Sequence, residues 1–144
     1  MTTNERQGRI VVGVDGSASA LGALEWAAGQ AELTGSPLEA LITWHWPMSY
    51  GYPMPLPPNF QPYDEAVKVL GEAIAKVRSA HSDLQIETKI VEGHPAQALV
   101  EASKDARLLV VGNRGHGEMT GLLIGSVSEY CVAHSHCPVL VFRA

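Results

Sequence analysis

The residues best equipped for chemistry lie between 110 and 130. The run VVGNRGHGEMTGLLIGSVSEY carries five glycines and leads from an apolar strand pattern into a helical one. Glycines in such number cost backbone entropy, and they belong where a chain approaches a ligand closely or takes positive φ. Gly112 and Gly115 are placed to do either, and Gly125-Ser126 opens a helix. A helix start offers unpaired N–H groups and the positive end of its dipole, which together suit a phosphate. The Ser126 and Ser128 hydroxyls add donors, with Arg114 as the obvious nearby cation. Ser126-Val127-Ser128-Glu129 also has the S-x-x-E form of a capping box, so a capped helix behind a glycine-shaped loop is the alternative. Two familiar nucleotide motifs are absent. A Walker A loop requires Gly-Lys-Ser/Thr, and residues 105–144 hold no lysine. The segment GVDGSASALG lacks G-x-G-x-x-G, which disfavours a dinucleotide site.

Positioning these residues falls to alternating strands and helices. RIVVGV (9–14) is a buried-strand pattern stopped by Asp15-Gly16. A helix follows from Ser17, an N-cap, to Gly35. PLEALITWH (37–45) is the second strand. Residues 46–62 hold six of the nine prolines and no charge, so a long loop with polyproline character is expected. From Tyr63 a second helix shows Tyr63, Val67, Leu70, Ile74 and Val77 along one face. Strand 84–92, a short helix from Pro95 to about Asp105, strand 107–112, a helix from Gly125 to about His134, and strand 138–143 complete the rhythm. The expected fold is a single α/β domain over 1–144, a doubly wound parallel sheet with helices on both faces. If the first three strands wind outward as 3-2-1 and the fourth pairs with the first, Asp15 and Gly112 face each other across the switch-point crevice.

Composition narrows the classes. With 46% hydrophobic and 17% charged residues the chain reads as globular. A net charge of −5 without any basic stripe argues against nucleic acid. No apolar signal region or stretch of membrane-spanning length is seen, and a reducing, cytoplasmic setting is expected, with Cys131 and Cys137 unpaired.

Gly112-x-x-Gly115, nine residues, then Gly125-Ser126 resembles the G-2x-G-9x-G-[ST] pattern of ATP-binding universal stress proteins. IVVGVDGSASALGALEWA resembles that family's opening strand and helix, and GSVSEYCVAHSHCPVLVFR its closing helix and strand. The resemblance implies a five-stranded parallel sheet of order 3-2-1-4-5 with ATP, accompanied by Mg2+, at the switch point. It implies Asp15 as the acidic nucleotide contact and Thr43 near adenine. Gly112, Gly115, Gly125, Ser126, Val127 and Ser128 then form the ribose- and phosphate-binding run.

Other residues have plainer expectations. Gly117 and Gly121 serve loop flexibility, and His116 is a solvated loop histidine. HSHC (134–137) lacks a second Cys/His pair, so no metal site is expected. Trp26, Trp44 and Trp46 anchor core or loop, with Trp44 or Trp46 as candidates to flank a base. Glu65, Lys68 and Glu72 read as a solvated helix face. The expected function is a nucleotide-dependent stress regulator with no catalytic residue and little turnover. The alternatives are slow ATP hydrolysis or autophosphorylation on Ser126 or Ser128, and a module whose 46–62 loop docks a regulatory protein partner. The strand at 138–143 would be an apolar edge, which pairing in a homodimer would cover.

Overall fold

Turn chemistry sets where the first elements begin and end. Gly16 takes φ 86°, which ends the first strand, and the Ser17 hydroxyl accepts the Ala20 N–H at 3.1 Å to cap the following helix. Gly35, at φ 67°, closes that helix in the left-handed conformation. The computed structural model describes residues 8–115 and 124–144. The chain runs β1 (Ile10–Gly13), α1 (Ala18–Thr34), β2 (Leu38–Trp44), β3 (Met48–Ser49), β4 (Tyr52–Pro53), α2 (Pro62–Arg78) and β5 (Ile86–Glu92). It continues with α3 (Pro95–Ser103), β6 (Leu108–Gly112), α4 (Ser126–His134) and β7 (Val139–Phe142). The main sheet has order β5-β2-β1-β6-β7 and every pairing in it is parallel. This is the expected 3-2-1-4-5 arrangement.

Alternation along the strands feeds two cores. Ile10, Val12, Val14 and Val110 face α1 and α2, whereas Val11, Leu41, Leu109 and Val111 face α3 and α4. Each fully buried Val, Leu or Ile contributes about 1.5–3 kcal/mol. α1 lies close on the sheet because Ala23, Ala27, Ala28 and Ala31 present almost no bulk to it. Gly22 leaves room for the Phe142 ring on β7.

Two expectations need correction. The buried stripe of α2 is Ala66, Leu70, Ala73, Ile74 and Val77, while Tyr63 and Val67 are 46% and 42% exposed. Tyr63 instead sets its ring edge-on to Trp44, with centroids 5.9 Å apart. The loop at 46–62 also contains the hairpin β3–β4. Tyr50 and Gly51 turn it with φ of 49° and 80°, the double positive φ of a type I′ turn. The Met54 N–H closes it on the Pro47 carbonyl at 2.8 Å.

The two helical glycines of α1 should respond oppositely to alanine. Gly22→Ala drives a Cβ into the Phe142 ring and should lower stability by about 1–3 kcal/mol. Gly29→Ala meets nothing within 4 Å and should raise it by up to about 1 kcal/mol. Urea denaturation of both variants checks the pair; equal shifts of one sign would contradict the packing of α1 on β7.

Candidate functional site

β1 and β6 are neighbours in the sheet, yet the helices that follow them cover opposite faces. Their carboxyl ends therefore part to form a crevice. Asp15 lies at one lip, half-buried, and its carboxylate accepts the Ser17 N–H at 2.9 Å. Gly112 lies at the other. A Cβ there would stand 2.8 Å from the Ser19 carbonyl carbon and 2.9 Å from the Ala20 nitrogen. Gly112 is thus required by the close approach of α1, and its φ is not left-handed.

Asn113, one residue on, ties the crevice together and was not singled out from sequence. It is 5% exposed. Its side-chain oxygen accepts the Ser19 hydroxyl at 2.9 Å, and its N–H donates to the Phe142 carbonyl at 2.7 Å. Its own carbonyl accepts the Gly125 N–H at 2.5 Å and the Ser128 hydroxyl at 3.3 Å. The start of α4 is therefore fixed by main chain from the end of β6. The capping box of the alternative reading does not form: Gly125 is the N-cap, without a side-chain cap bond, and Ser126 is the first helical residue. The signal that could have found Asn113 is its place between two motif glycines, where a polar side chain follows a fully apolar strand.

Asp15, Thr43, Gly112, Gly115, Val127 and Ser128 border one cleft of about 50 Å³, together with Arg114. Gly125 and Ser126 do not border it; Gly125 is buried behind Asn113 and Ser126 is exposed at the helix start. The gap between Gly115 and Gly125 falls largely outside the described residues, and His116, Gly117 and Gly121 lie there. A second cavity, of about 600 Å³, shares Val14, Asp15, Thr43 and Pro95 with the cleft and continues along α2. Trp44 borders this larger space, while Trp46 packs edge-on against it at 6.5 Å and Trp26 joins the core. Glu65 and Glu72 are exposed, as expected, but they also line that cavity; Lys68 does not.

Among the described residues no group of three or more His, Cys, Asp and Glu side chains could hold a metal ion. In HSHC, His134 packs on Tyr130 and Cys137 is a free thiol, as is Cys131 within α4. Burial pushes the Cys131 thiol from its ordinary 9.0 up to about 11, so it stays protonated in the core. No helix among the described residues is long and apolar enough to cross a membrane.

The model of the universal stress protein family matches residues 7–143. The chain belongs to the universal stress protein family. Universal stress protein Rv2623 of Mycobacterium tuberculosis is 35% identical over 143 residues, a match covering 93% of this chain and 47% of that protein. The chain thus spans about half the length of the curated relatives it matches. A universal stress protein solved in complex with cAMP is 30% identical, with a TM-score of 0.72 and coverage of 95% and 97% of the two chains. Universal stress protein UspA of Lactobacillus plantarum superposes at a TM-score of 0.77 with 24% identity, covering 97% of this chain and all of its own.

The Asn113 junction is expected to carry measurable stability. Asn113→Ala leaves the buried Ser19 hydroxyl without this acceptor and should cost about 1–3 kcal/mol, and Ser128→Ala about 1 kcal/mol. Chemical denaturation of each variant is the check, and an unchanged midpoint for Asn113→Ala would remove the junction from the account.

Proposed function

We propose that this universal stress protein domain binds ATP at the crevice between β1 and β6 and acts as a nucleotide-dependent regulator in the stress response, with little or no turnover. One observation carries the reading: six of the eight site residues that the resemblance implies, Gly112 and Gly115 of the motif among them, border a single cleft at the switch point. The 30% identical universal stress protein solved with cAMP supports an adenine nucleotide as the ligand. In this reading Asp15 and Thr43 meet the base. Gly112, Gly115, Gly125, Ser126, Val127 and Ser128 serve the ribose and phosphates, the amides at the start of α4 facing the negative charge. In this reading Mg2+ accompanies the triphosphate. The domain works in the cytoplasm in this reading.

Low turnover follows from thin equipment. Phosphoryl transfer relies on positioned cations, and Arg114 is the one Lys or Arg bordering the cleft among the described residues. Ser128 is 3% exposed and its hydroxyl is committed to Asn113, so Ser126 is the better placed acceptor for any autophosphorylation. Mass spectrometry of nucleotide released from the denatured protein should find adenine nucleotide with the unmodified chain and much less with Gly115→Ala. ADP formation at the pace of ordinary ATPases would overturn the regulator reading.

The edge strand β7 has half-buried Val139, Leu140, Val141 and Phe142 and pairs on one side with β6. We infer a homodimer in which two such strands meet across a twofold axis and cover both edges. Sedimentation at micromolar concentration should give a dimer, and Val141→Lys should return a monomer. A monomeric unmodified chain would rule the arrangement out.

A further inference from the structure

The larger cavity has walls that nucleotide binding does not use. Its volume, about 600 Å³, sits within the roughly 300–1,000 Å³ range of small-molecule sites. None of Gly112, Gly115, Gly125, Ser126, Val127 and Ser128 borders it. One wall comes from α2, where Glu65, Val69, Glu72 and Lys76 repeat at steps of 4, 3 and 4 beside the helix's buried stripe. The facing wall is apolar and aromatic, with Leu21, Ile42, Trp44 and Phe60. Trp44 is braced by Trp46 at 6.5 Å and by Tyr63 at 5.9 Å, both edge-on, so its ring is held in place before any ligand arrives.

Charge chooses the occupant. Along the α2 wall the carboxylates of Glu65 and Glu72 outnumber the single ammonium of Lys76. Glu65 and Glu72 form no ion pair among the described residues. An anion would meet net repulsion, whereas an ammonium is attracted by the carboxylates. We propose that the cavity between α2 and the carboxyl ends of β1 and β2 is a second ligand site, which takes a small hydrophobic organic amine. The apolar body lies against Trp44 and Phe60, and the ammonium turns toward Glu65 and Glu72. The site adjoins the nucleotide reading at Asp15 and Thr43, which border both spaces, but its α2 wall belongs to no part of the glycine motif.

Two probes of matched shape and opposite charge test it: 2-(2-naphthyl)ethylamine and 3-(2-naphthyl)propionate. Each is titrated into the full chain labelled with 15N, with amide shifts as the readout. The amine should move amides at 43–45 and 65–76 and bind at least about fivefold tighter than the acid, the size of effect exposed charges supply together. The double variant Glu65→Gln, Glu72→Gln, which changes solvent-exposed positions, should erase that preference. Val69→Trp, which fills the cavity, should abolish amine binding while an ATP titration of the same variant is unaltered. Equal affinity for both probes, shifts elsewhere, or no saturable shift at millimolar amine would overturn the proposal.

Discussion

Asn113 is buried where β6, α1, α4 and β7 converge, and its hydrogen bonds join these four elements at the carboxyl end of the sheet. A strand that ends beneath two helix starts leaves amides and carbonyls that must find partners away from water, since an unpaired buried one costs free energy. Asn113 solves this with both its main chain and its side chain. Its carbonyl meets the amide of Gly125, the N-cap of α4, its N–H meets the carbonyl of Phe142 at the end of β7, and its side chain holds the first turn of α1. Gly112 makes the arrangement possible by letting α1 come within backbone contact of the strand end. The motif residues are therefore brought together by polar bonding of the junction as much as by the layering of the two cores.

This changes how the glycine pattern is understood. Its first glycine is needed for packing, whatever binds nearby, and Ser128 is needed for the junction. Packing and ligand binding are compatible demands on one segment: the same bonds that fix α4 against β6 also fix the direction in which its amides point. The crevice then divides by polarity. Toward α4 it offers amides and Arg114, and toward α2 it offers carboxylates and aromatic rings. A phosphate-bearing ligand has one favourable end to occupy, and a cationic one has the other.

Much of the fold was legible because strong local signals agreed with one another. Val and Ile runs of strand length, Ser17 and Gly35 at the ends of α1, and Pro95 at the start of α3 each had one sensible reading. The alternation of β and α segments pointed to a parallel sheet, whereas its strand order was supposed and came from the resemblance to universal stress proteins. What escaped the sequence depended on tertiary contact. Tyr63 and Val67 continue the helical spacing of Leu70 and Ile74, yet they face the loop, which periodicity cannot reveal. Tyr50-Gly51 was hidden among prolines. Ser126 looked like a cap, but the carbonyl of Asn113 fixed the helix start one residue earlier. Glu65 and Glu72 have the composition of an ordinary solvated face, and the cavity beside them exists because the 46–62 loop arches back to Phe60 and Pro62.

In the proposed reading, main-chain amides at the start of α4, held by Asn113, receive the phosphates of an adenine nucleotide without a lysine clamp. Amide resonances of the 15N-labelled chain, followed during titration with ATP and Mg2+, test it most directly. Saturable shifts are expected at Gly112, Gly115, Ser126 and Val127, with smaller ones at Asp15 and Thr43. Saturable shifts that spare the start of α4, or none at all with millimolar ATP, would contradict it.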